Sequence, residues 1–456
     1  MKRALLVAAL SGCISLAPKY ERPAAPVPTQ LPGGQGSANA AAMPIAQFVK
    51  EDKLRLILAK VLGANRTLRR AALDIESARQ LYRVQRAAEL PSVGVSATAT
   101  STRSLIGTSD NATARFTEYA VGLGVSSWEI DLFGRIKSLS DAKLQSYLAS
   151  VELAKATRIS LIAEAATAYV TMSADRSRLA IARDTMASSK KAMDLTDALV
   201  GGGTSNRGDF YQASTVYQQA RADVAALTAA LAQDKNALEL LAGDSLDPAL
   251  MPDVLPTQPE WFAEVPVGLD SAVLLERPDV LAAERDLMAA NANIGAARAQ
   301  FFPSLGLTAS GGLGSVALAS LFTGPAVLWT LAPSLALPLF RGGANRANLA
   351  YTKAQKLSLV AAYELAIQTA FREVADALAT RATIQEQLAA QGALVQAAAE
   401  ALELSQARYY AGIDAFLTTL ISERALYAAQ NSLVTTQLAA LGNRITMYRV
   451  LGGGLR

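Results

Sequence analysis

The chain lacks several residue types on which common protein chemistry depends. Its 456 residues include no histidine and a single cysteine, and only 6% of them are aromatic. Zinc and haem sites built on histidine or cysteine, disulfides, and nucleophilic machinery of the Ser-His or Cys-His type are therefore excluded. The formal net charge is only +4, and the Lys and Arg residues form no cluster in the sequence, so nucleic acid is not an expected partner. These absences argue against an enzyme, and no metal or bound cofactor is expected.

Long apolar runs are also scarce in this chain. No run of about 20 apolar residues follows the N-terminal segment, which excludes a transmembrane helix there. If the protein spans a membrane, it must do so with β-strands, because only helices and closed sheets satisfy their backbone hydrogen bonds in lipid.

The N-terminus has the pattern of an export signal. The charged pair Lys2-Arg3 precedes a short apolar stretch, which predicts a signal peptide over 1–12. The end of that stretch, Leu10-Ser11-Gly12-Cys13, resembles a bacterial lipobox, which implies a covalent lipid with acyl chains such as palmitate on Cys13. Residues 13–43, rich in Pro and then in Gly, Ser and Ala, are predicted to form an extended lipidated leader. Ile14 favours the outer membrane, because it replaces the aspartate of an inner-membrane retention signal; the alternative is that Cys13 is a buried core residue.

One large segment occurs twice. Two motifs return at a spacing of roughly 210 residues, which is too long for a solenoid repeat. Leu90-Pro91-Ser92-Val93-Gly94-Val95 returns as Phe302-Pro303-Ser304-Leu305-Gly306-Leu307, and Asp131-Leu132-Phe133-Gly134-Arg135 returns as Pro338-Leu339-Phe340-Arg341-Gly342. The spacing predicts repeat 1 over 44–247 and repeat 2 over 279–456, with a Pro-rich connector over 248–278.

Each repeat contains a predicted β-hairpin, at about 92–131 and about 304–339. Apolar residues alternate there with Ser, Thr and Gly, a pattern typical of transmembrane barrel strands. A half-buried hairpin of a soluble protein alternates in the same way, so the pattern of one strand is weak evidence. Pro333 and Pro338 are unfavourable inside a strand and predict a bend.

Each hairpin is followed by a predicted pair of very long helices, at about 134–242 and about 342–451. No Gly or Pro occurs between Arg135 and Val200, and helices of this length pack as coiled coils. The helices reverse at Gly203 and at Gly412. The buried seam of the second long helix is predicted at spacings of three and four residues, over Leu357, Val360, Glu364, Ile367, Phe371, Val374 and Leu378.

Nearly the whole mature chain resembles the TolC-like outer-membrane efflux factors, specifically the lipoprotein branch that serves resistance-nodulation-division pumps, and the match is most specific in the central part. The motifs that carry this resemblance are Glu276-Arg277-Pro278-Asp279-Val280, Phe301-Phe302-Pro303-Ser304, Phe340-Arg341-Gly342-Gly343 and Phe371-Arg372-Glu373-Val374-Ala375-Asp376. Pro18-Lys19-Tyr20-Glu21-Arg22-Pro23 is similar to the motif that follows the lipidated cysteine in this family.

The resemblance implies an α+β membrane protein that is a homotrimer. Its twelve-stranded transmembrane β-barrel, with four strands per chain, would continue into a long periplasmic α-helical barrel, with residues 43–62, the connector and the C-terminus in an equatorial collar. Physical reasoning independently requires oligomerisation, because four strands cannot close a barrel alone. Eight strands from a dimer or twelve from a trimer could close, and the larger ring is the one expected to keep an open aqueous lumen. The implied function is the outer-membrane channel of a tripartite efflux system in a Gram-negative bacterium, which passes small solutes to the exterior. The implied partners are a periplasmic adaptor protein, an inner-membrane resistance-nodulation-division pump and outer-membrane lipid.

The resemblance also places a gate at the helix tips near Gly203 and Gly412. Family members have acidic residues six and nine positions after the tip glycine; here Asp209 is the first of these in repeat 1. In repeat 2 the two positions are Thr418 and Ile421, so the acidic ring is expected to be reduced or displaced toward Asp414. An apolar constriction at Ile421 or Leu420 would also gate, by dewetting. Asp209 can alternatively act only as a capping carboxylate of its helix.

Two other functions agree with parts of the sequence. A conduit for one-step (type I) protein secretion would use the same channel for a different cargo. A lipid-anchored coiled-coil scaffold without a channel would explain Cys13 and the helices, but not the duplicated hairpins.

Overall fold

The elements of repeat 1 are long helices on either side of one hairpin. The computed structural model describes residues 15–32, 43–105, 113–256, 260–266 and 270–453. Repeat 1 contains α1 (Ile45–Phe48), α2 (Asp52–Ala64), α3 (Arg66–Ala87), β1 (Val93–Leu105), β2 (Thr113–Ile130), α4 (Arg135–Gly201) and α5 (Arg207–Ala242).

Repeat 2 has the same order of elements. Two 3-10 turns in the connector, Pro248–Leu250 and Ser271–Glu276, precede it. It then contains α6 (Pro278–Ala299), β3 (Ser304–Ser315), a 3-10 turn at Leu318–Ser320, β4 (Ala326–Ala336), α7 (Ala344–Tyr410) and α8 (Phe416–Val450).

The lengths of matching helices confirm the internal duplication. α3 and α6 each have 22 residues, and α4 and α7 each have 67. The returning helices α5 and α8 have 36 and 35 residues. Neither 67-residue helix contains a proline, the residue that most often ends or kinks a helix.

The four strands form one antiparallel sheet in the order β1-β2-β3-β4. The middle pairing, β2 with β3, joins the two repeats inside the chain. Of the two prolines expected to be unfavourable in this strand, Pro333 lies within β4, opposite Leu307, and Pro338 lies beyond its end at Ala336. β4 is an edge strand in the described chain, where proline is tolerated because one side of the strand donates no hydrogen bonds to a neighbour.

The described chain divides into two compact units. One comprises the described parts of Met1–Ala24, Leu73–Val151 and Ala282–Leu365, and it contains the sheet. The other comprises the described parts of Ala25–Ala72, Glu152–Leu281 and Ala366–Arg456, and it contains both helix reversals. Both repeats contribute to each unit.

An aromatic stack lies in the core of the unit that contains the helix reversals. Phe48 stacks on Phe262 and on Tyr448, with ring centroids 5.1 Å and 4.1 Å apart. A β-bridge between Val49 and Phe262 extends this contact to the backbone. The stack brings together the start of repeat 1, the connector and the last helix.

The buried stripe of α7 differs in part from the predicted seam. Ile367, Val374 and Leu378 are buried as predicted, but Leu357 is 70% exposed and Phe371 is half-buried. Tyr363, Ala370 and Ala377 are the residues that complete the buried stripe.

Candidate functional site at the sheet faces and the helix turns

One face of the sheet is apolar across all four strands. Residues directly opposite each other on neighbouring strands point to the same face. Two successive rows of such residues are Val93, Val125, Ala309 and Leu331, and then Val95, Leu123, Gly311 and Trp329. Val95 and Trp329 are 76% and 77% exposed, so the chain leaves this apolar face uncovered.

The opposite face carries mainly small and polar residues. Its rows include Gly94, Gly124, Ser310 and Thr330, and then Ser96, Gly122, Gly312 and Leu328. At Gly122 a Cβ atom would lie 2.7 Å from the carbonyl oxygen of Gly311, so only glycine fits where β2 and β3 approach. The sheet therefore separates an apolar surface from one that water can wet.

The first helix turn joins α4 to α5. Gly203 has φ of 73°, in the left-handed region that glycine adopts without strain. The side chain of Asn206 caps α5 by accepting a hydrogen bond from the backbone N–H of Asp209, at 3.0 Å. The Asp209 carboxylate in turn accepts from the Ser205 hydroxyl at 2.9 Å and from the Asn206 amide at 3.1 Å. Asp209 thus lies in the first turn of α5 and is held by local contacts, while Asn206 is the cap.

The second helix turn joins α7 to α8 and uses different polar contacts. Gly412 has φ of 72°, as at the first turn. The Asp414 carboxylate accepts two hydrogen bonds from the Arg408 guanidinium, at 2.7 Å and 2.9 Å. These bonds hold the pKa of Asp414 below its usual range. No side chain caps α8 at Ala415.

A small apolar cluster links the two turns. Ala213 and Val216 of α5 are buried against Phe416 and Leu420 of α8, and Tyr409 packs on the cluster with its ring 5.2 Å from that of Phe416. Burial, and then the nearby Asp209 carboxylate, raise the pKa of the Tyr409 hydroxyl. The contact brings the turn of repeat 1 next to the turn of repeat 2.

The cluster decides which predicted gate residues remain accessible. Leu420 is 2% exposed, so it packs between helices and is not a candidate for an accessible constriction. Ile421 is 59% exposed, and Thr418 is exposed three residues before it. Residues three apart lie on one face of a helix, so Thr418 and Ile421 share an accessible stripe on α8.

Further polar contacts between the repeats follow along α8, and the sequence did not point to them. The buried carboxylate of Glu423 accepts hydrogen bonds from the hydroxyls of Ser188, at 2.6 Å, and Ser189, at 3.3 Å. One turn later the Tyr427 hydroxyl donates to Asp223 at 2.7 Å. These contacts add hydrogen-bonded links to the apolar packing near the turns.

The N-terminal leader is held along α6. Glu284 is buried and accepts two hydrogen bonds from Arg22, at 2.7 Å and 2.6 Å, and one from the Tyr20 hydroxyl, at 3.1 Å. Asn291 and Arg298 donate to the carbonyl oxygens of Pro18 and Leu16. Residues later in the leader contact residues earlier in α6, so the leader and the helix run antiparallel. Cys13, the predicted lipidation site, lies outside the described residues.

The described residues contain no group of three or more acidic or cysteine side chains that could hold a metal ion. No helix among them is both long and apolar enough to cross a membrane. What the arrangement offers is a two-faced sheet and a set of accessible residues at the helix turns.

Comparison with known proteins agrees with this geometry. A family model described as "Outer membrane efflux protein" matches residues 57–244 and 269–453. The two matched segments correspond closely to the two repeats. The chain is 43% identical over 454 residues to the solvent efflux pump outer membrane protein SrpC of Pseudomonas putida, covering 98% of this chain and 96% of that relative.

Solved structures share the fold. A crystal structure of a membrane protein from Pseudomonas aeruginosa has a TM-score of 0.89 and 40% identity, covering 96% of this chain and 98% of that one. The open state of the MtrE outer membrane channel of Neisseria gonorrhoeae has a TM-score of 0.87 and 35% identity, covering 97% of this chain and 99% of that one.

Proposed function

Because the chain belongs to the outer membrane efflux protein family, we propose that three copies of it assemble into one channel with a single aqueous lumen. As a member, it is an outer-membrane efflux channel with a TolC-like fold that extends into the periplasm, and it is not an enzyme.

The observation that carries the trimer is the four-stranded sheet with one apolar and one small, polar face. In lipid, the unpaired backbone groups of β1 and β4 would each cost several kcal/mol. Antiparallel closure through copies of the chain satisfies them, and three copies supply twelve strands, enough to keep an open lumen. The apolar face then meets lipid and the small, polar face lines the water.

The partners follow from the chemistry of a passive conduit. A channel supplies no energy, so it must receive solute from an energised pump, which we propose is of the resistance-nodulation-division class, through a periplasmic adaptor. The helix turns at Gly203 and Gly412 are the surfaces proposed for the adaptor. The cargo proposed is small apolar solutes, since the relative SrpC is named as part of a solvent efflux pump.

The gate is proposed at the accessible stripe of α8. Thr418 and Ile421 are exposed there, and the Arg408–Asp414 ion pair stiffens the turn that precedes them. Three copies of an apolar side chain around an axis can close a narrow pore by dewetting. Asp209 is proposed to support the tip through its contacts with Ser205 and Asn206, and Gly203 and Gly412 to allow the two reversals.

Cys13 is proposed to carry the lipid anchor. The contacts of Arg22 and Tyr20 with Glu284, and of Pro18 with Asn291, hold the chain that follows it along α6. The lipid then adds membrane affinity to an assembly whose strands already insert into the membrane.

The test is conductance across planar bilayers, with two substitutions at neighbouring positions of β1. The purified full-length protein is expected to give discrete channel openings. Val95→Arg places a charge on the apolar face, which costs about 2–4 kcal/mol in mid-bilayer, so few channels should insert. Ser96→Arg is the matched control: it should insert normally and shift ion selectivity toward anions.

Two results would contradict the proposal. Absence of any conductance, also with the gate variant Ile421→Ala, would overturn the channel. Normal insertion of Val95→Arg together with failure of Ser96→Arg would reverse the assignment of the two faces.

A further inference from the structure

An aromatic contact closes the end of the strand pairing that joins the two repeats. Phe133 follows β2 and Phe302 precedes β3, and their rings stack with centroids 4.8 Å apart and 24° between planes. Ile130 lies opposite Leu305 near this end of the β2–β3 pairing. The stack therefore lies next to the only strand pairing between repeats in the described chain.

The duplicated motifs place the same two positions at the free edges of the sheet. Phe340 corresponds to Phe133 and follows β4, while Leu90 corresponds to Phe302 and precedes β1. Phe340 is 88% exposed and Leu90 is 71% exposed. Among the described strands, β4 pairs only with β3, and β1 only with β2. Two apolar side chains thus lie uncovered beside two unpaired strand edges.

We propose that Phe340 packs on Leu90 of the partner subunit, repeating between chains the contact that Phe133 makes with Phe302 within one. The proposal rests on the trimer proposed above and adds to it the residues at the rim of the subunit interface. In the duplication, β4 is the counterpart of β2, and β1 is the counterpart of β3. β4 of one copy should therefore pair with β1 of the next copy in the way that β2 pairs with β3 within one chain. The same template brings the segment after β4 beside the segment before β1.

The occupant of this surface is a second copy, because only another copy offers a β1 edge with Leu90 at its start. The intrachain pair shows the chemistry: Phe302 is 42% exposed once Phe133 covers it, about half the exposure of Phe340. Leu339, which is 90% exposed, would be covered in part by the same contact. Lipid is the competing occupant, since aromatic side chains also favour the membrane interface.

The test is site-directed cross-linking of the full-length protein in membranes. Leu90→Cys with Phe340→Cys should give covalent dimers and trimers on oxidation, seen on non-reducing gels. Phe133→Cys with Phe302→Cys is the matched control, in which the disulfide forms within one chain and leaves a monomer band that has lost two free thiols by mass spectrometry. The single variants Leu90→Cys and Phe340→Cys control for cross-links through Cys13.

A second measurement distinguishes the partner chain from lipid. In a background in which Trp128, Trp261 and Trp329 are replaced by Phe, the fluorescence of Phe340→Trp should be insensitive to brominated lipids if the side chain is covered by protein. Strong quenching would overturn the proposal in favour of lipid. A channel that is trimeric and conducts, and whose control pair oxidises while Leu90→Cys with Phe340→Cys does not, would overturn this contact and leave the channel intact. A monomer without conductance would overturn both.

Discussion

A single arginine explains why one of the family motifs has its particular residues. Arg277 is buried and donates to Asp279 at 2.7 Å, to Glu373 at 2.8 Å and to the carbonyl oxygen of Val450 at 3.0 Å. It thereby joins the end of the connector to α7 and to the end of α8. A lysine could not reproduce this set, because its ammonium is a point charge without the planar fork of donors.

Asp234 of α5 is a residue whose environment no sequence pattern reveals. It lies beside Asp175 of α4, whose carboxylate is paired with Arg178 at 2.7 Å. Burial, and then the neighbouring Asp175, raise the pKa of Asp234 to about 6. The Arg178 guanidinium pairs with Asp175, so Asp234 is the carboxyl of this pair whose pKa is raised.

Asp234→Asn is therefore expected to stabilise the protein at neutral pH. Because folding raises the pKa of Asp234, the protonated carboxyl makes its full contribution to stability below the ordinary pKa of an aspartate. That contribution is lost as the pH rises through about 6 and the buried carboxyl ionises. The gain at pH 7.5 should be about 1 kcal/mol after allowance for solvent screening of a half-exposed group, and it should vanish near pH 4. Thermal unfolding followed by circular dichroism at both pH values measures it.

Asp184→Asn, at an exposed position of α4, is the control and should change the unfolding midpoint little at either pH. An equal gain for Asp234→Asn at pH 4 and pH 7.5 would show that the ionised carboxylate is not the cause.

At the scale of elements, the two helix turns share a backbone solution and differ in their side chains. Glycine with φ near 72° ends each first helix. The returning helix of repeat 1 begins with an Asn206 cap, whereas that of repeat 2 begins at Ala415 without a side-chain cap and is preceded by the Arg408–Asp414 ion pair. The difference between repeats that the sequence shows at Asp209 and Thr418 thus extends to how each turn is held.

Leu420 and Ile421 are neighbours on α8, and one is buried while the other is exposed, so their substitution should affect stability to different extents. Leu420→Ala removes a buried side chain from the cluster between the turns and should cost about 2–4 kcal/mol. Ile421→Ala changes an exposed side chain and should cost less than about 0.5 kcal/mol. If Ile421 lines the constriction, its variant should conduct more often than the wild type, because a shorter apolar side chain wets more readily.

The two measurements are thermal unfolding and open probability in planar bilayers, each made on both variants. A strong loss of stability in Ile421→Ala, or an unchanged open probability, would remove Ile421 from the gate.

The spans of the long helices could be predicted from the sequence, whereas their buried faces could be predicted only in part. The spans of α4 and α7 follow from the absence of proline and from apolar spacing, which act within a few turns of one helix. The buried stripe of α7 was predicted only in part, because a helix of 67 residues meets different neighbours along its length. Tyr363 and Ala370 are buried where the predicted seam had Glu364 and Phe371.

For the molecule as a whole, the N-terminal leader makes a contact between segments that lie far apart in the sequence. Arg22 and Glu284 are 262 residues apart in the chain, and their bidentate ion pair attaches the N-terminal segment to repeat 2. The Glu284 side chain is 5% exposed and that of Arg22 is 48% exposed. Loss of Arg22 would leave a buried carboxylate with one remaining donor, Tyr20, which is costly.

Arg22→Ala should release the leader without unfolding the helices. Thermolysin cleavage within residues 15–32 is expected to become roughly tenfold faster, which corresponds to a local cost of about 1.4 kcal/mol for a partly exposed pair. Mass spectrometry of the released peptides measures the rate. Arg79→Ala, which breaks an exposed pair with Glu76 on α3, is the control and should leave the rate unchanged. An unchanged rate in Arg22→Ala would show that the other contacts along α6 hold the leader by themselves.

The sequence by itself determined the duplication, the four strands, the two long helical pairs and the glycine turns. Each of these depends on the periodicity of nearby residues or on the backbone freedom of one residue, which are local properties. Only the tertiary structure decided that β2 pairs with β3, that β4 passes through Pro333, that Leu420 is buried while Ile421 is accessible, and that Arg22 meets Glu284. These depend on which distant segments become neighbours, and a local pattern carries no information about a partner that lies tens or hundreds of residues away.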